Sequence, residues 1–136
     1  MKFMLDTNIC IDILRRSNSP ALKQIISHQV GDIGISVITL AELEHGVKKS
    51  ANPAKNAARL IQALSAFEIA DFDNHAAATY GLVRAQLESK GKPIGPLDTL
   101  IASHALSIDA VLVTDNMREF KRVKGLTVEN WIRKRS

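Results

Sequence analysis

The chain opens Lys2-Phe3-Met4-Leu5-Asp6-Thr7-Asn8, and this stretch sets the architecture. Lys2 to Asp6 is a short apolar run that stops at an acid, which reads as a buried strand. Thr7 or Asn8 then caps a helix whose Ile9, Ile13 and Leu14 fall at helical spacing. A buried strand that runs straight into a helix is the repeating unit of parallel α/β folds.

Working outward, the same unit recurs. Ser19-Pro20 opens a second helix through about Val30, and Ile33 to Val37 is a β-branched second strand. Leu40, Leu43 and Val47 mark a helix from Thr39 to about Lys49. Asn52-Pro53 opens another through about Ala66, and Phe67 to Ala70 is a weak third strand. Asp73 to Ser89 is a long helix stopped by Lys90-Gly91-Lys92-Pro93. Ile94-Gly95-Pro96 is loop, and Leu97-Asp98 starts a helix through about Leu106. Ala110 to Thr114 is the strongest strand, apolar until its last residue. A turn of helix around Arg118-Glu119-Phe120 follows, then an edge strand at Leu126 to Val128. The expected fold is a small α/β/α sandwich around a parallel sheet, one domain over residues 1–136, with right-handed crossovers.

Composition agrees. With 136 residues, 46% hydrophobic and 24% charged, the chain builds one core without disulfides or structural metal, which excludes disordered, collagen-like and coiled-coil classes. Cys10 is the single cysteine, flanked by Ile9 and Ile11, and reads as a small core residue. A net charge of +4 permits a polyanionic partner without requiring one. Asp6 interrupts the apolar stretch that a signal peptide needs, and no apolar run is long enough to span a bilayer. A soluble, cytoplasmic protein with no membrane contact is expected.

Of the 14 carboxylates, most have the setting of solvated surface, but four places differ. Asp6 ends a strand, and Glu42 lies early in the helix after the second strand. Asp98 lies in the first turn after a Gly-Pro loop. Thr114-Asp115-Asn116 follows the last strong strand, with Glu119 three residues on. Residues just past the carboxyl ends of parallel strands line a common crevice, so these acids should meet. Clustered carboxylates repel and raise one another's pKa unless a cation neutralises them. A helix N-terminus contributes only about 0.3–1 kcal/mol, too little to hold several anions together. Oxygen-only ligands suit Mg²⁺ or Mn²⁺, whereas zinc would want Cys or His at spacings this sequence lacks. Such an ion supports displacement at phosphorus, that is, phosphodiester hydrolysis. Arg118, Lys121, Arg122, Lys124, Arg133, Lys134 and Arg135 lie just downstream, where an RNA backbone could be tracked.

Leu5-Asp6-Thr7-Asn8, Leu40-Ala41-Glu42-Leu43, Pro96-Leu97-Asp98-Thr99-Leu100-Ile101-Ala102 and Val113-Thr114-Asp115-Asn116-Met117-Arg118-Glu119-Phe120 resemble, in order and across the whole chain, the four motifs of the PIN-domain nucleases. The Met-Leu-Asp-Thr-Asn-Ile-Cys-Ile start is most similar to VapC toxins of toxin–antitoxin pairs. The resemblance implies a Mg²⁺- or Mn²⁺-dependent endoribonuclease that stops translation, with initiator tRNA, cut in the anticodon stem-loop, as a candidate substrate. It also implies a homodimer, inhibition by a VapB antitoxin, and contact with operator DNA only through that antitoxin. Asp6, Glu42 and Asp98 match the acidic triad, which makes Asp6, Asp98 and Glu42 the implied metal ligands; Asp115, Asn116 or Glu119 completes the site. The alternative is a non-catalytic module acting through a toxin–antitoxin DNA complex.

Other polar residues read plainly. Thr99 reads as a cap, His45 and His104 receive no catalytic role, and Trp131 reads as an anchor for the last segment rather than a base-stacking platform.

Overall fold

The computed structural model describes residues 1–132, so Arg133, Lys134 and Arg135 of the basic segment lie outside the described residues. The strands are β1 (Phe3–Leu5), β2 (Ile33–Ser36), β3 (Glu68–Ala70), β4 (Val111–Val113) and β5 (Val128–Glu129). The helices are α1 (Thr7–Arg15), α2 (Pro20–Ile26), α3 (Val37–Lys48), α4 (Pro53–Leu64), α5 (Asn74–Ser89), α6 (Pro96–Ser107) and α7 (Met117–Phe120). All strand pairs are parallel, in the order β3-β2-β1-β4-β5.

Strand alternation divides the core into two layers. Leu5, Ile33, Ile35 and Val113 face one side, where they pack on Ile9 and Cys10 of α1, Ala21 of α2, Leu43 and Val47 of α3, and Leu60 of α4. Met4 and Leu112 face the other, against Val83 and Leu87 of α5, Ile101, Ala102 and Ala105 of α6, and Phe120 of α7. This is the α/β/α sandwich expected from the strand–helix alternation. At Gly34 an added Cβ would press into the Glu68 carbonyl and the Met1 side chain, so only glycine allows β2 and β3 to pair there. Trp131 is buried, stacked on His28 and tilted against Phe3, and anchors the final segment as the sequence suggests.

Element ends differ from the sequence reading where capping decides. Asp6 itself, rather than Thr7 or Asn8, caps α1, accepting from the Ile9 amide at 2.9 Å. Ser36 ends β2 and caps α3, so Val37 starts a helix instead of ending a strand. Pro96 occupies the first turn of α6, one residue before the predicted start. Helix α2 stops at Ile26, leaving Val30 exposed, and β5 is shifted to Val128–Glu129.

The chain order reverses beside β1: β2 and β3 lie to one side of it, β4 and β5 to the other. Such a switch point opens a crevice at the carboxyl ends of the two central strands. Leu5 pairs with Val113, and the Asp6 amide donates to the Val113 carbonyl at 3.0 Å, so Asp6 and Thr114 emerge side by side into that crevice.

Candidate active site

Asp6 is only 2% exposed. Burial pushes its pKa up to about 6, Asp115 and Asp98 push in the same direction, and the Thr114 hydroxyl and Ile9 amide pull against them. Asp98, half-buried in the first turn of α6, is also raised, chiefly by burial and then by Glu119 and Glu42. Asp6, Glu42, Asp98 and the Asp115–Glu119 segment come from four separate places in the sequence and meet at one crevice, where Asp98 lies within electrostatic reach of Asp6, Glu42 and Glu119, and Asp115 of Asp6. Among the described residues no Lys or Arg forms an ion pair with any of these acids. Nor is any group of three His, Cys, Asp or Glu side chains drawn close enough to ligate a single ion directly.

Two hydroxyls to which the sequence reading gave no part in the site, Thr7 being read there as a helix cap, organise these acids. Thr7 Oγ1 donates to Glu42 Oε1 at 2.6 Å and lies 3.4 Å from Thr39 Oγ1, tying the start of α1 to α3. Thr114 is fully buried, hydrogen-bonds Asp6 and accepts from the Asn116 amide at 2.9 Å. The only sequence signal for either was position: each hydroxyl sits next to an acid at the end of a central strand. In the fourth motif Asn116 Nδ2 donates to Glu119 Oε2 at 3.1 Å, so those two candidates form one unit, while the Asp115 charge acts on Asp6. Thr99 donates to the Gly95 carbonyl at 2.8 Å and stabilises the first turn that carries Asp98.

His104 is buried rather than an ordinary surface residue of its helix. Its Nδ1 is 2.7 Å from Ser36 Oγ, its ring also hydrogen-bonds the Asp71 backbone, and Phe72 meets it edge-on. Burial holds its pKa below the usual imidazole range, so the ring is neutral and Ser36 can both donate to it and cap α3. Of the basic candidates, Arg118 and Lys121 are exposed on and beside α7. Arg122 is half-buried, with Nη1 3.3 Å from the Pro93 carbonyl, bracing the loop that leads into α6.

A groove of about 480 Å³ runs away from Thr7 and Glu42 between α1, α3 and α4.

With the geometry of the crevice in view, its relatives can be set beside it. The sequence profile of the PIN domain matches residues 3–126. The chain belongs to the PIN-domain family. Within the family this PIN domain is 43% identical over 132 residues to the tRNA(fMet)-specific endonuclease VapC of Shigella flexneri, covering 96% of this chain and 98% of that protein. The fold superposes with TM-score 0.92 and 41% identity on a chain of the DNA-bound VapBC crystal structure from Salmonella typhimurium, covering 96% and 98% of the two chains. It superposes with TM-score 0.88 and 42% identity on a chain of VapBC2 from Rickettsia felis bound to a promoter DNA fragment, covering 96% and 99%. At these identities and coverages the PIN domain falls in the VapC group, as the opening residues imply. No helix among its described residues is long and apolar enough to cross a membrane.

Proposed function

We propose that this PIN domain is a divalent-cation-dependent endoribonuclease, the toxin of a toxin–antitoxin pair, with Asp6, Glu42 and Asp98 as its central acids and the Asn116–Glu119 unit and Asp115 beside them. The observation that carries the reading is the gathering of buried Asp6, half-buried Asp98 and the neighbouring acids at the crevice, with no cation paired to them among the described residues, which agrees with the raised pKa of both. Such a site is incomplete without positive charge. Oxygen donors alone fit Mg²⁺ or Mn²⁺. Magnesium keeps most of its waters and takes one or two carboxylates directly, which suits acids that share a crevice without closing on one point. When bound, such an ion lowers the pKa of water and offsets charge developing on the phosphoryl oxygens.

The chain's own residues do the positioning. Asp6 is fixed by the α1 N-terminus and Thr114, Glu42 is aimed by Thr7, and Asp98 is set by the first turn of α6. Arg118 and Lys121 lie on the α7 side, where they can seat flanking phosphates. The name of the Shigella relative supports initiator tRNA as substrate; cutting in the anticodon stem-loop and the resulting arrest of translation are further parts of the proposal. The DNA-bound VapBC complexes support a VapB-type antitoxin as partner; that the antitoxin inhibits the toxin and alone contacts promoter DNA, and that the toxin is a homodimer, are further parts of the proposal.

Incubating the purified chain with initiator tRNA, with magnesium or with EDTA, tests the reading. Cutting in magnesium that EDTA stops is the expected result. RNA binding with no cutting in either condition would show a non-catalytic module instead.

A further inference from the structure

Two of the central acids stand on different helices, Glu42 on α3 and Asp98 on α6, and their charges interact across the crevice. The placement of one helix start against the other therefore sets the site. A single side chain of α6 spans that gap. His104 Nδ1 is 2.7 Å from the Oγ of Ser36, the residue that ends β2 and caps α3 by accepting from the Ile38 amide at 3.0 Å. Ser36 pairs with Ala70 in the sheet, so Asp71 emerges beside it, and the same ring hydrogen-bonds the Asp71 backbone. The imidazole thus joins α6, the β2–α3 junction and the segment after β3, all at the carboxyl ends of strands.

Ser36 is 0% and His104 1% exposed. An apolar side chain in place of the ring would also pack α6 on the sheet, without burying two polar groups. What it would lack is direction. Apolar contacts tolerate sliding and rotation of one helix against another, whereas a hydrogen bond holds a distance and an angle. In a neutral imidazole one nitrogen accepts and the other donates, so turning the ring over would lose both partners. We infer that His104 is a positioning residue, which through Ser36 fixes the start of α3 against α6 and so sets the spacing of Glu42 and Asp98. Its bearing on cleavage rests on the ribonuclease reading.

The test compares wild type, His104→Gln, His104→Asn, Ser36→Gly and the core variant Val83→Ala, all checked as folded by circular dichroism. Two quantities are measured: kcat and KM for tRNA cleavage, and the Mn²⁺ affinity of the metal-free protein, which needs no RNA. An asparagine amide places an oxygen where Nδ1 stands. A glutamine amide reaches the position of the other ring nitrogen and leaves Ser36 without its partner. Glycine removes the Ser36 hydroxyl and is still a tolerated helix cap. His104→Gln and Ser36→Gly should each lower kcat roughly 10- to 100-fold with KM within about twofold of wild type, because the acids are displaced while Arg118 and Lys121 are not. Mn²⁺ affinity should fall roughly tenfold in both. His104→Asn should stay within about threefold of wild type in both quantities. Val83→Ala loosens the layer between α5 and α6 without touching the Ser36 bond, and should change neither. If His104→Asn loses as much as His104→Gln, or Val83→Ala does, the ring only stabilises the core and the inference is overturned. Wild-type kcat and Mn²⁺ affinity in His104→Gln and Ser36→Gly overturn it equally. Should His104→Gln not fold, Ser36→Gly against Val83→Ala decides. If the wild type cuts no RNA while the Mn²⁺ pattern holds, the ribonuclease reading fails and the positioning role stands.

Discussion

Replacing Asp6 by asparagine should make the metal-free protein more stable at neutral pH while abolishing cleavage. Asp6 has an ordinary carboxyl pKa of 3.8 when unfolded and about 6 in the fold. The native state therefore binds more protons than the unfolded state between those values, and stability falls as pH rises through that window. Above pH 6 the full penalty applies: roughly two pKa units at about 1.4 kcal/mol each, or about 3 kcal/mol. The introduced carboxamide retains an oxygen to accept from the Ile9 amide, so the α1 cap survives the change. In EDTA at pH 7.5, Asp6→Asn should unfold on the order of 10 °C higher than the wild type, at roughly 3–4 °C per kcal/mol for a chain of this size. At pH 4, where Asp6 is largely protonated, the two proteins should converge. Adding magnesium should stabilise the wild type preferentially and narrow the gap at pH 7.5. Thermal unfolding followed by circular dichroism at the two pH values reads all of this. An Asp6→Asn variant no more stable than wild type at pH 7.5, or a gap that persists unchanged at pH 4, would refute the claim that buried, uncompensated charge defines the crevice.

Two further outcomes follow from the hydroxyl and imidazole contacts. Thr7→Val removes the hydrogen bond to Glu42, worth about 1.5–3 kcal/mol for a charged acceptor, so cleavage should fall roughly 10- to 100-fold while Thr7→Ser stays near wild type; equal losses in both variants would show that the hydroxyl does not aim Glu42. His104→Ala should cost about 2–4 kcal/mol in urea unfolding, because it leaves a cavity and strips Ser36 of a buried partner. The stability difference between the wild type and His104→Ala should also shrink as pH falls below about 6.5, since the unfolded imidazole takes up a proton that the buried one resists.

The sequence announced the sheet because each central strand is too short and too apolar to be anything but buried. Met4 and Leu5, Ile33 and Ile35, and Leu112 and Val113 all lie in the core as their alternation requires. Asp6 was legible for a related reason: it stands directly after a buried strand at the crevice, and it is indeed buried there as well as capping α1. Local competition decided what was misread. Asp6, Thr7 and Asn8 can all cap a helix, and only the tertiary partner on α3 takes Thr7 away to Glu42. His104 looks ordinary because its partners, Ser36 and the Asp71 backbone, are 68 and 33 positions distant along the chain and meet it only through the sheet order.

Titrating the metal-free chain with Mn²⁺ and following the loss of free-ion signal by electron paramagnetic resonance asks most directly whether the crevice is a cation site. Saturable binding by the wild type, weakened at least tenfold in Asp98→Asn and in Asp6→Asn and displaced by magnesium, is the outcome these residues predict. Equal Mn²⁺ uptake by all three proteins would mean that the acids gather there for some other purpose.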